Sequence, residues 1–374
     1  MRAMRIAVVS PFDYPCGIGQ YTENVVREWR KAGHDVWGLA DHVPESHLRG
    51  EFPADNVLRC WRRGECYSGV PVAVRALRPD IVNIQHDLSF CSDAEEWDTL
   101  LQQVQAVCPV VVTYHSWPRK PDGVTRNRRP DAVIVTNPKA FESAVQEGWP
   151  QERARFVPHA TVRPLSAPLG EMNHSIVTWG FLSGSKGYGE ALEALKLLLP
   201  EFPDASLTLH GALLPARAEG QLRCLSAQLA PGIWQGALGT KVAVHLGWPA
   251  EAELQALIAR HSVCWLPYHH ADETWCSSGC VQTAWSACRP LLTSRSAHFD
   301  VTPDFEPLLC RTDDVSEVAA RTAQLWRDRE EYDSLCARIR KHAESRGQAE
   351  LAEDYVQVFR DVVPRSEART SGGE

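Results

Sequence analysis

Residues 178–192 have the composition of a phosphate-binding turn. The segment TWGFLSGSKGYGEAL reads as the end of a strand, a turn rich in glycine and serine, and the start of a helix. Gly180, Gly184 and Gly187 allow tight turns, the free amides at a helix start carry partial positive charge, and Lys186 adds a full charge. An ordinary strand-to-helix turn with a solvated lysine would have the same composition, so this segment alone leaves both interpretations open.

A second segment, 265–292, repeats this design. It contains an apolar strand, a polar loop, Ser277-Ser278-Gly279 at a predicted helix start, and a helix of small residues that ends before Arg289-Pro290. Serine at a helix start can bind a phosphate oxygen, although it is also a favoured N-cap residue. The two segments together favour a phosphate-binding site over two unrelated turns.

These segments and the N-terminal PFDYPCGIGQYTENV resemble the family 4 retaining glycosyltransferases of the GT-B fold. The resemblance spans nearly the whole chain. It implies an α/β protein with two Rossmann-like doubly wound domains facing each other across a cleft, and it makes Lys186 a catalytic residue. The donor contacts that it implies are Gly17, Gly19, Gly180, Lys186, Glu273, Ser277, Ser278, Gly279 and Thr283.

The chain departs from the family at the donor site. Family members usually have an arginine after the glycine that opens the lysine turn, where this chain has Phe181. They usually have a Glu-x7-Glu pair as well, and alignment places Trp275 and Thr283 at those positions, with Glu273 two residues away. The glutamate that Thr283 replaces normally binds the ribose diol. A weaker donor site, a different nucleotide and ribose recognition by Gln282 therefore all remain open.

Histidines follow two predicted strands of the first domain. His86 comes after the strand 81–85, and His115 after the strand 110–114. In open parallel sheets, ligands bind beyond the carboxyl ends of the strands. His86 is an acceptor candidate, although a histidine that bonds a loop carbonyl is the simpler interpretation. The segment VTYHS resembles the family segment whose histidine faces the reacting sugar or the acceptor, so His115 is predicted to be catalytic.

The N-terminal strand 5–10 is followed by a predicted loop, 11–20, and a predicted helix, 21–32. A dinucleotide-binding site is the rival interpretation of this unit. However, Gly17 and Gly19 lack the third glycine of that motif, and no acidic residue ends a clear second strand at the expected distance.

A short basic loop after His115 is the only direct indication of the acceptor. Its cations are Arg119, Lys120, Arg126, Arg128 and Arg129, and Arg59, Arg62 and Arg63 form a further cluster in a predicted loop, 41–70. Most charge runs are solvated surface. A positive field on an acidic protein favours an anionic acceptor, in descending order a small phosphorylated or carboxylated molecule, a lipid-linked phosphate and a nucleic acid.

Composition indicates a two-domain globular protein. The 374 residues exceed one typical core, and the net charge of −8 argues against wholesale nucleic-acid binding. The 12 scattered cysteines read as reduced core thiols of a cytoplasmic protein, with peripheral membrane attachment as an alternative. Cys276 and Cys280 have no partner at zinc spacing, so no metal is expected. The N-terminal apolar run is too short for a signal peptide or a membrane span.

Alternating strands and helices predict four segments. Residues 1–165 form the acceptor-side domain, 171–346 the nucleotide-sugar domain, 347–364 a helix that returns to the first domain, and 365–374 a disordered tail. Within the second domain the predicted strands are 176–179, 206–210, 242–245 and 263–267. Helices are predicted over 251–261, 315–346 and 351–363.

The predicted activity is metal-independent, retaining transfer of a sugar from a nucleotide-diphosphate sugar, most simply a UDP- or GDP-sugar, to an acceptor hydroxyl. Without a metal, cations and aimed amides must stabilise the departing diphosphate. A non-catalytic sugar-nucleotide or glycan-binding scaffold is the alternative from another class. A phosphorylase or an epimerase of the same fold is the third possibility.

Overall fold

The computed structural model describes residues 3–65, 67–91, 93–119, 128–162, 172–213, 218–233, 238–269, 274–301 and 304–363. The chain divides into two compact units. The first comprises Met1–Pro158 and Ala349–Glu374, and the second comprises His159–Gln348. Each unit is built on one parallel sheet, as the alternation of strands and helices predicts.

The N-terminal unit has a seven-stranded sheet in the order β3-β2-β1-β4-β5-β7-β8. The strands of the sheet are almost continuous apolar runs, because helices cover both faces of a doubly wound sheet. The elements of this unit are β1 (Arg5–Val9), α1 (Gly17–Lys31), β2 (Asp35–Asp41), β3 (Val57–Trp61), α2 (Gly69–Leu77), β4 (Ile81–His86), α3 (Ala94–Gln105), β5 (Val110–Tyr114), a short β6 (Ser116–Pro118), β7 (Ala132–Val135), α4 (Pro138–Gln146), β8 (Ala154–Phe156) and α11 (Gln348–Val362).

Two local predictions for this unit are wrong. Residues 57–61 form strand β3 within the segment 41–70 that the sequence presents as a loop. Only Trp61 of this strand is fully buried, and its indole donates to the Leu39 carbonyl, so the strand lacks the buried run of its neighbours. Helix α1 begins at Gly17 rather than at residue 21, so Gly17 and Gly19 lie in its first turn instead of in the loop.

The C-terminal helix α11 packs against α1 within the N-terminal unit. The indole of Trp29 on α1 donates to the Ala352 carbonyl at 3.0 Å, and its ring lies 5.6 Å from that of Tyr355 and 5.3 Å from that of Phe359. These side chains are buried, so burial of apolar surface holds α11 on this unit although it follows the second unit in the chain.

The C-terminal unit has a six-stranded sheet in the order β11-β10-β9-β12-β14-β15, with β9 and β12 adjacent. The segment predicted as one helix over 315–346 is two helices that meet at Asp328, which caps the second. The elements are β9 (Ser175–Phe181), α5 (Tyr188–Leu198), β10 (Ser206–Ala212), α6 (Ala218–Ile233), β11 (Val242–Leu246), α7 (Glu251–Ala259), β12 (Val263–Leu266), a short β13 (Thr274–Cys276), α8 (Gly279–Ser286), β14 (Leu291–Thr293), β15 (Leu309–Arg311), α9 (Val315–Arg327) and α10 (Arg329–Ser345).

The turn after β9 lies directly on the end of β12. A 3₁₀ turn, Gly184–Lys186, leads into α5, and Gly187 between them has φ +69°. A Cβ atom at residue 187 would lie 1.8 Å from the Pro267 carbonyl oxygen. The backbone amide of His269 also donates to the Ser185 carbonyl at 2.7 Å. Only glycine therefore permits this approach of the two backbones.

A buried ion pair fixes the loop that leads into α1. Both oxygens of Glu23, which is fully buried, accept from the Arg49 guanidinium, at 2.6 and 2.5 Å. The Asp13 amide donates to the same carboxylate at 2.7 Å, which holds the residues before α1 in place. The Glu23 and Arg49 charges compensate each other, whereas either charge alone would be strongly unfavourable in this buried position.

No helix in the described ranges is long and apolar enough to cross a membrane.

We expect Arg49→Ala to lower the free energy of unfolding by about 3–5 kcal/mol, because the buried Glu23 carboxylate would lose its buried cation and both of that cation's hydrogen bonds. Arg27→Ala is the matched control, since Arg27 lies 3.7 Å from the same carboxylate and is 37% exposed. Its cost should be about 0–1 kcal/mol. Urea denaturation measures both, and equal values for the two variants would contradict this account.

Gly187→Ala should lower the free energy of unfolding by at least about 2 kcal/mol, since it adds a Cβ clash to a strained backbone conformation. Gly189→Ala is the control, because nothing lies within 4 Å of its added Cβ and residue 189 is in helix α5. Alanine there should be neutral or stabilising. Thermal denaturation of both variants would test this, and tolerance of both substitutions would show that the turn relaxes freely.

Candidate active site

Lys186 lies over an aromatic ring at the carboxyl end of the C-terminal sheet. Its ammonium nitrogen is 3.4 Å from the centroid of the Tyr268 ring. Burial lowers the pKa of Lys186, and the nearby thiols of Cys280 and Cys276 act in the opposite direction. In the part of the chain that the structure describes, no carboxylate forms an ion pair with Lys186. The site thus contains a partly desolvated cation suited to an incoming anion.

Gly180 lies beside the side chains of Lys186 and Tyr268. These three residues and the start of α8 are called the Lys186 cluster below. Gly180 is the penultimate residue of β9 and has φ +131°, a conformation that side-chain-bearing residues rarely adopt. A Cβ atom there would lie 3.7 Å from the Tyr268 hydroxyl and 3.9 Å from Cε of Lys186. The next residue, Phe181, packs its ring 5.1 Å from that of Trp248. Phe181 thus contributes an aromatic contact where the family usually has a cation.

The start of α8 is the second element of the cluster. Ser278 is the N-cap, and its hydroxyl accepts from the Cys280 amide at 3.3 Å. The Tyr268 hydroxyl donates to the Cys280 thiol at 3.4 Å, so the Lys186 side chain and the start of α8 share one neighbour. Ser277 is partly buried, and Gly279 is exposed with open space around it.

Thr283 is turned to its own helix. Its hydroxyl donates to the Gly279 carbonyl at 3.0 Å, one turn earlier in α8. Trp275, at the other position of the missing glutamate pair, is partly buried in β13. Glu273 lies outside the described residues, so its assignment to the donor hydroxyls stays a prediction.

His298 belongs to the Lys186 cluster although the sequence gives no signal for it. Burial and then the Lys186 charge lower its pKa to about 4, so the imidazole is neutral at neutral pH. Its Nδ1 is 2.9 Å from the Ser296 hydroxyl, and its carbonyl accepts from the Ser278 amide at 2.8 Å. It comes from the loop after β14, which no motif marks.

His115 lies directly after β5 at the carboxyl edge of the N-terminal sheet, as predicted. It is 8% exposed, its Nε2 is 2.7 Å from the Gln85 amide oxygen, and the Tyr21 ring meets it edge-on at 5.1 Å. The Tyr21 hydroxyl is 2.9 Å from that of Tyr355 on α11. Burial raises the pKa of Tyr355 to about 12, so its hydroxyl stays protonated at neutral pH. The imidazole is therefore held in one orientation.

The N-terminus of α1 lies at the same sheet edge. No capping side chain and no acidic residue occupies its first turn. Gly17 is exposed with open space around it, whereas a Cβ at residue 19 would lie 3.0 Å from the Pro11 carbonyl oxygen. Gly19 thus allows the helix to approach the preceding loop, and Gly17 leaves the helix start accessible.

The structure does not support His86 as an acceptor residue. His86 is the last residue of β4 and is fully buried. Its ring lies 4.4 Å from that of Trp97 and 5.3 Å from that of Tyr114. Because side chains alternate along a strand, the preceding residue Gln85 faces His115 while His86 faces α3. His86 is therefore a core residue, the simpler of its two interpretations.

Arg128 and Arg129 lie at the edge of the sheet opposite to His115. They precede β7, and Arg128 donates to the Gln105 side chain at the end of α3. Arg129 donates to the carbonyls of Gly148 and Glu147 after α4. The five residues of β5 separate the two edges by about 16 Å.

This placement contradicts an acceptor role for Arg128 and Arg129 beside His115. A segment between two parallel strands must return to the amino edge, and these arginines lie at the end of such a segment. Arg119 directly follows β6 and is partly buried. Arg126 lies outside the described residues.

Within the described ranges, no group of three or more His, Cys, Asp or Glu side chains could hold a metal ion. Metal independence itself stays a prediction.

Residues 15–161 match the family model described as Glycosyltransferase Family 4. No curated protein matches the chain in a sequence comparison. Among solved structures, HepE from Anabaena in complex with UDP-glucose is 12% identical, with a TM-score of 0.70 over 96% of this chain and 99% of that one. The pneumococcal O-GlcNAc transferase GtfA, in complex with UDP and GlcNAc, is 10% identical, with a TM-score of 0.70 over 98% and 100%.

A UDP-forming trehalose-phosphate synthase from Burkholderia xenovorans is 11% identical, with a TM-score of 0.67 over 97% of this chain and 100% of that one. At such identities the structural likeness establishes the fold, two parallel-sheet domains of the GT-B class. The family match covers residues 15–161, and over the rest of the chain the likeness is one of fold.

Proposed function

We propose that this protein is a family 4-like glycosyltransferase, a transferase of class EC 2.4, that moves a sugar from a UDP-sugar or GDP-sugar to an acceptor hydroxyl, with retention of configuration and without a metal ion. The observation that carries the proposal is Lys186, a partly desolvated cation with no carboxylate partner in the described part of the chain. The UDP complexes of HepE and GtfA support UDP as the nucleotide.

The C-terminal unit holds the diphosphate in this proposal. Lys186 supplies one full positive charge, and the backbone amides at the start of α8 supply partial positive charge. When the glycosidic bond to the nucleotide breaks, the leaving diphosphate gains negative charge. Fixed donors in a partly dry site stabilise that charge more than water does, and this lowers the barrier.

The N-terminal unit presents the acceptor. The leaving phosphate itself takes the acceptor proton, so no side-chain base is required for retention. His115 contacts the reacting sugar or orients the acceptor hydroxyl, and Gln85 fixes its ring. The anionic acceptor that the basic loop predicts loses most of its support, since Arg128 and Arg129 lie at the other edge of the sheet.

We also propose a cytoplasmic location. The eleven cysteines within the described ranges are all free, as expected for a reducing compartment.

Lys186→Ala should abolish most turnover of the donor. Loss of a charge-assisted contact costs about 1.5–3 kcal/mol in donor binding and more in the transition state. Incubation with UDP-, GDP-, ADP- and TDP-sugars, followed by detection of released nucleotide, identifies the donor and measures the effect.

Lys196→Ala is the control for this experiment, because Lys196 is an exposed lysine of the next helix, paired with Glu193. It should keep the wild-type rate, and EDTA should leave that rate unchanged. A wild-type rate for Lys186→Ala would show that the turn is only structural. Binding of a nucleotide sugar without any turnover would instead indicate a scaffold, and a strict metal requirement would overturn the mechanism.

His115→Ala should lower kcat about tenfold or more, since loss of one contact of about 1.4 kcal/mol to the reacting sugar corresponds to that factor. Nucleotide affinity measured by calorimetry should change little. His86→Phe is the control, because His86 is packed among aromatic rings on the other face of the sheet. Joint loss of kcat, nucleotide affinity and melting temperature in His115→Ala would make this histidine a structural residue.

A further inference from the structure

Tyr268 is held on every side at the carboxyl end of β12. The residue is 3% exposed, and its ring packs 4.8 Å from that of Phe299. Its carbonyl accepts from the Ser294 hydroxyl at 2.8 Å, and its own hydroxyl donates to the Cys280 thiol at 3.4 Å. Burial raises the pKa of Tyr268 well above its usual range, so the hydroxyl remains a donor. The ring therefore has one fixed orientation.

The face of this ring lies 3.4 Å from the Lys186 ammonium. An ammonium that loses water needs electrostatic compensation, and an aromatic face provides it through its negative quadrupole. The other described titratable groups near Lys186 are the thiols of Cys276 and Cys280 and the imidazole of His298, which is neutral at neutral pH. The Tyr268 ring thus stabilises the charged form of Lys186.

An aromatic ring has an advantage over a carboxylate at this position. A carboxylate would neutralise Lys186 and would repel the diphosphate, so the donor would have to displace it. A ring carries no net charge, and the full positive charge stays available to the donor. Through Cys280 the same residue also contacts the first turn of α8.

We propose that Tyr268 is a positioning residue for sugar transfer, whose ring holds the Lys186 ammonium charged and in place for the donor diphosphate. This inference rests on the proposed function. It assigns to Tyr268 a role through Lys186 and no contact with the reacting atoms.

Two substitutions separate the ring from the hydroxyl. Tyr268→Phe keeps the ring and removes the hydroxyl, with its hydrogen bonds to the Cys280 thiol and the Ser278 side chain. Donor KM should therefore stay within about threefold of wild type, in line with the loss of weak hydrogen bonds. Tyr268→Leu removes the ring, and donor KM should rise about 30-fold, which corresponds to ~2 kcal/mol for a desolvated cation–π contact. The alkaline limb of kcat/KM should also move to lower pH in Tyr268→Leu, because the lysine deprotonates more easily.

Tyr332→Leu is the matched control. Tyr332 is also a buried tyrosine of the C-terminal unit, 2% exposed, and its hydroxyl donates to the Ser262 carbonyl. This variant should lose stability while keeping the donor KM and the alkaline limb of the wild type. If Tyr268→Leu has the same donor KM and pH profile as Tyr332→Leu, the proposal is wrong.

A measurement without donor separates this proposal from the proposed function. The rate at which acetic anhydride acetylates Lys186, followed by mass spectrometry over a pH series, reports the fraction of neutral amine in the free protein. Acetylation in Tyr268→Leu should reach its plateau at lower pH than in Tyr268→Phe, whether or not any nucleotide sugar is turned over. Equal pH profiles of acetylation in these two variants would overturn the proposal even if the enzyme proves to be a glycosyltransferase of UDP-sugars.

Discussion

The contact between Gly187 and Pro267 is the constraint on which the candidate donor site depends. It brings the backbone of the Lys186 turn against the end of β12, a strand that lies far away in the sequence but adjacent to β9 in the sheet. Tyr268 follows Pro267 directly, so this approach places its ring below the lysine. A side chain at residue 187 would separate the two segments, and the cation would lose its aromatic support.

Much of this arrangement could be predicted from the sequence, because it depends on local patterns. Buried apolar runs indicated β1, β4 and β5, and the glycines around Lys186 indicated a tight turn. The errors at the candidate site residues have one physical cause, namely that a linear pattern does not show which sheet edge or face a residue reaches. His86 ends strand β4 and His115 follows β5, yet only His115 lies on the face of Gln85 and Tyr21. His298 could not be predicted, since its proximity to Lys186 results only from tertiary packing.

The departures from the family pattern have visible structural consequences. Phe181 packs against Trp248 and supplies no charge, so Lys186 is the cation that the described part of this cluster offers to a diphosphate. Thr283 uses its hydroxyl within α8 and would have to break that bond to donate to a ribose. Gln282 is adjacent to it, and its side-chain oxygen has no hydrogen-bond partner in the described structure. Ribose recognition by Gln282 is one of the alternatives that the sequence leaves open, and it stays a prediction.

A site with one lysine and many neutral groups also limits how the donor is stabilised. In the proposed function, a diphosphate carries more negative charge than Lys186 can balance, so the remainder would be met by dipoles such as the first amides of α8. The packed rings of Tyr268 and Phe299 give this site a low dielectric constant. The burial that lowers the pKa of Lys186 therefore also strengthens each hydrogen bond from a backbone amide. Burial at this site thus has two opposite effects. It disfavours the free ammonium, and it would favour the proposed complex, in which a phosphate oxygen accepts from both the ammonium and the helix start.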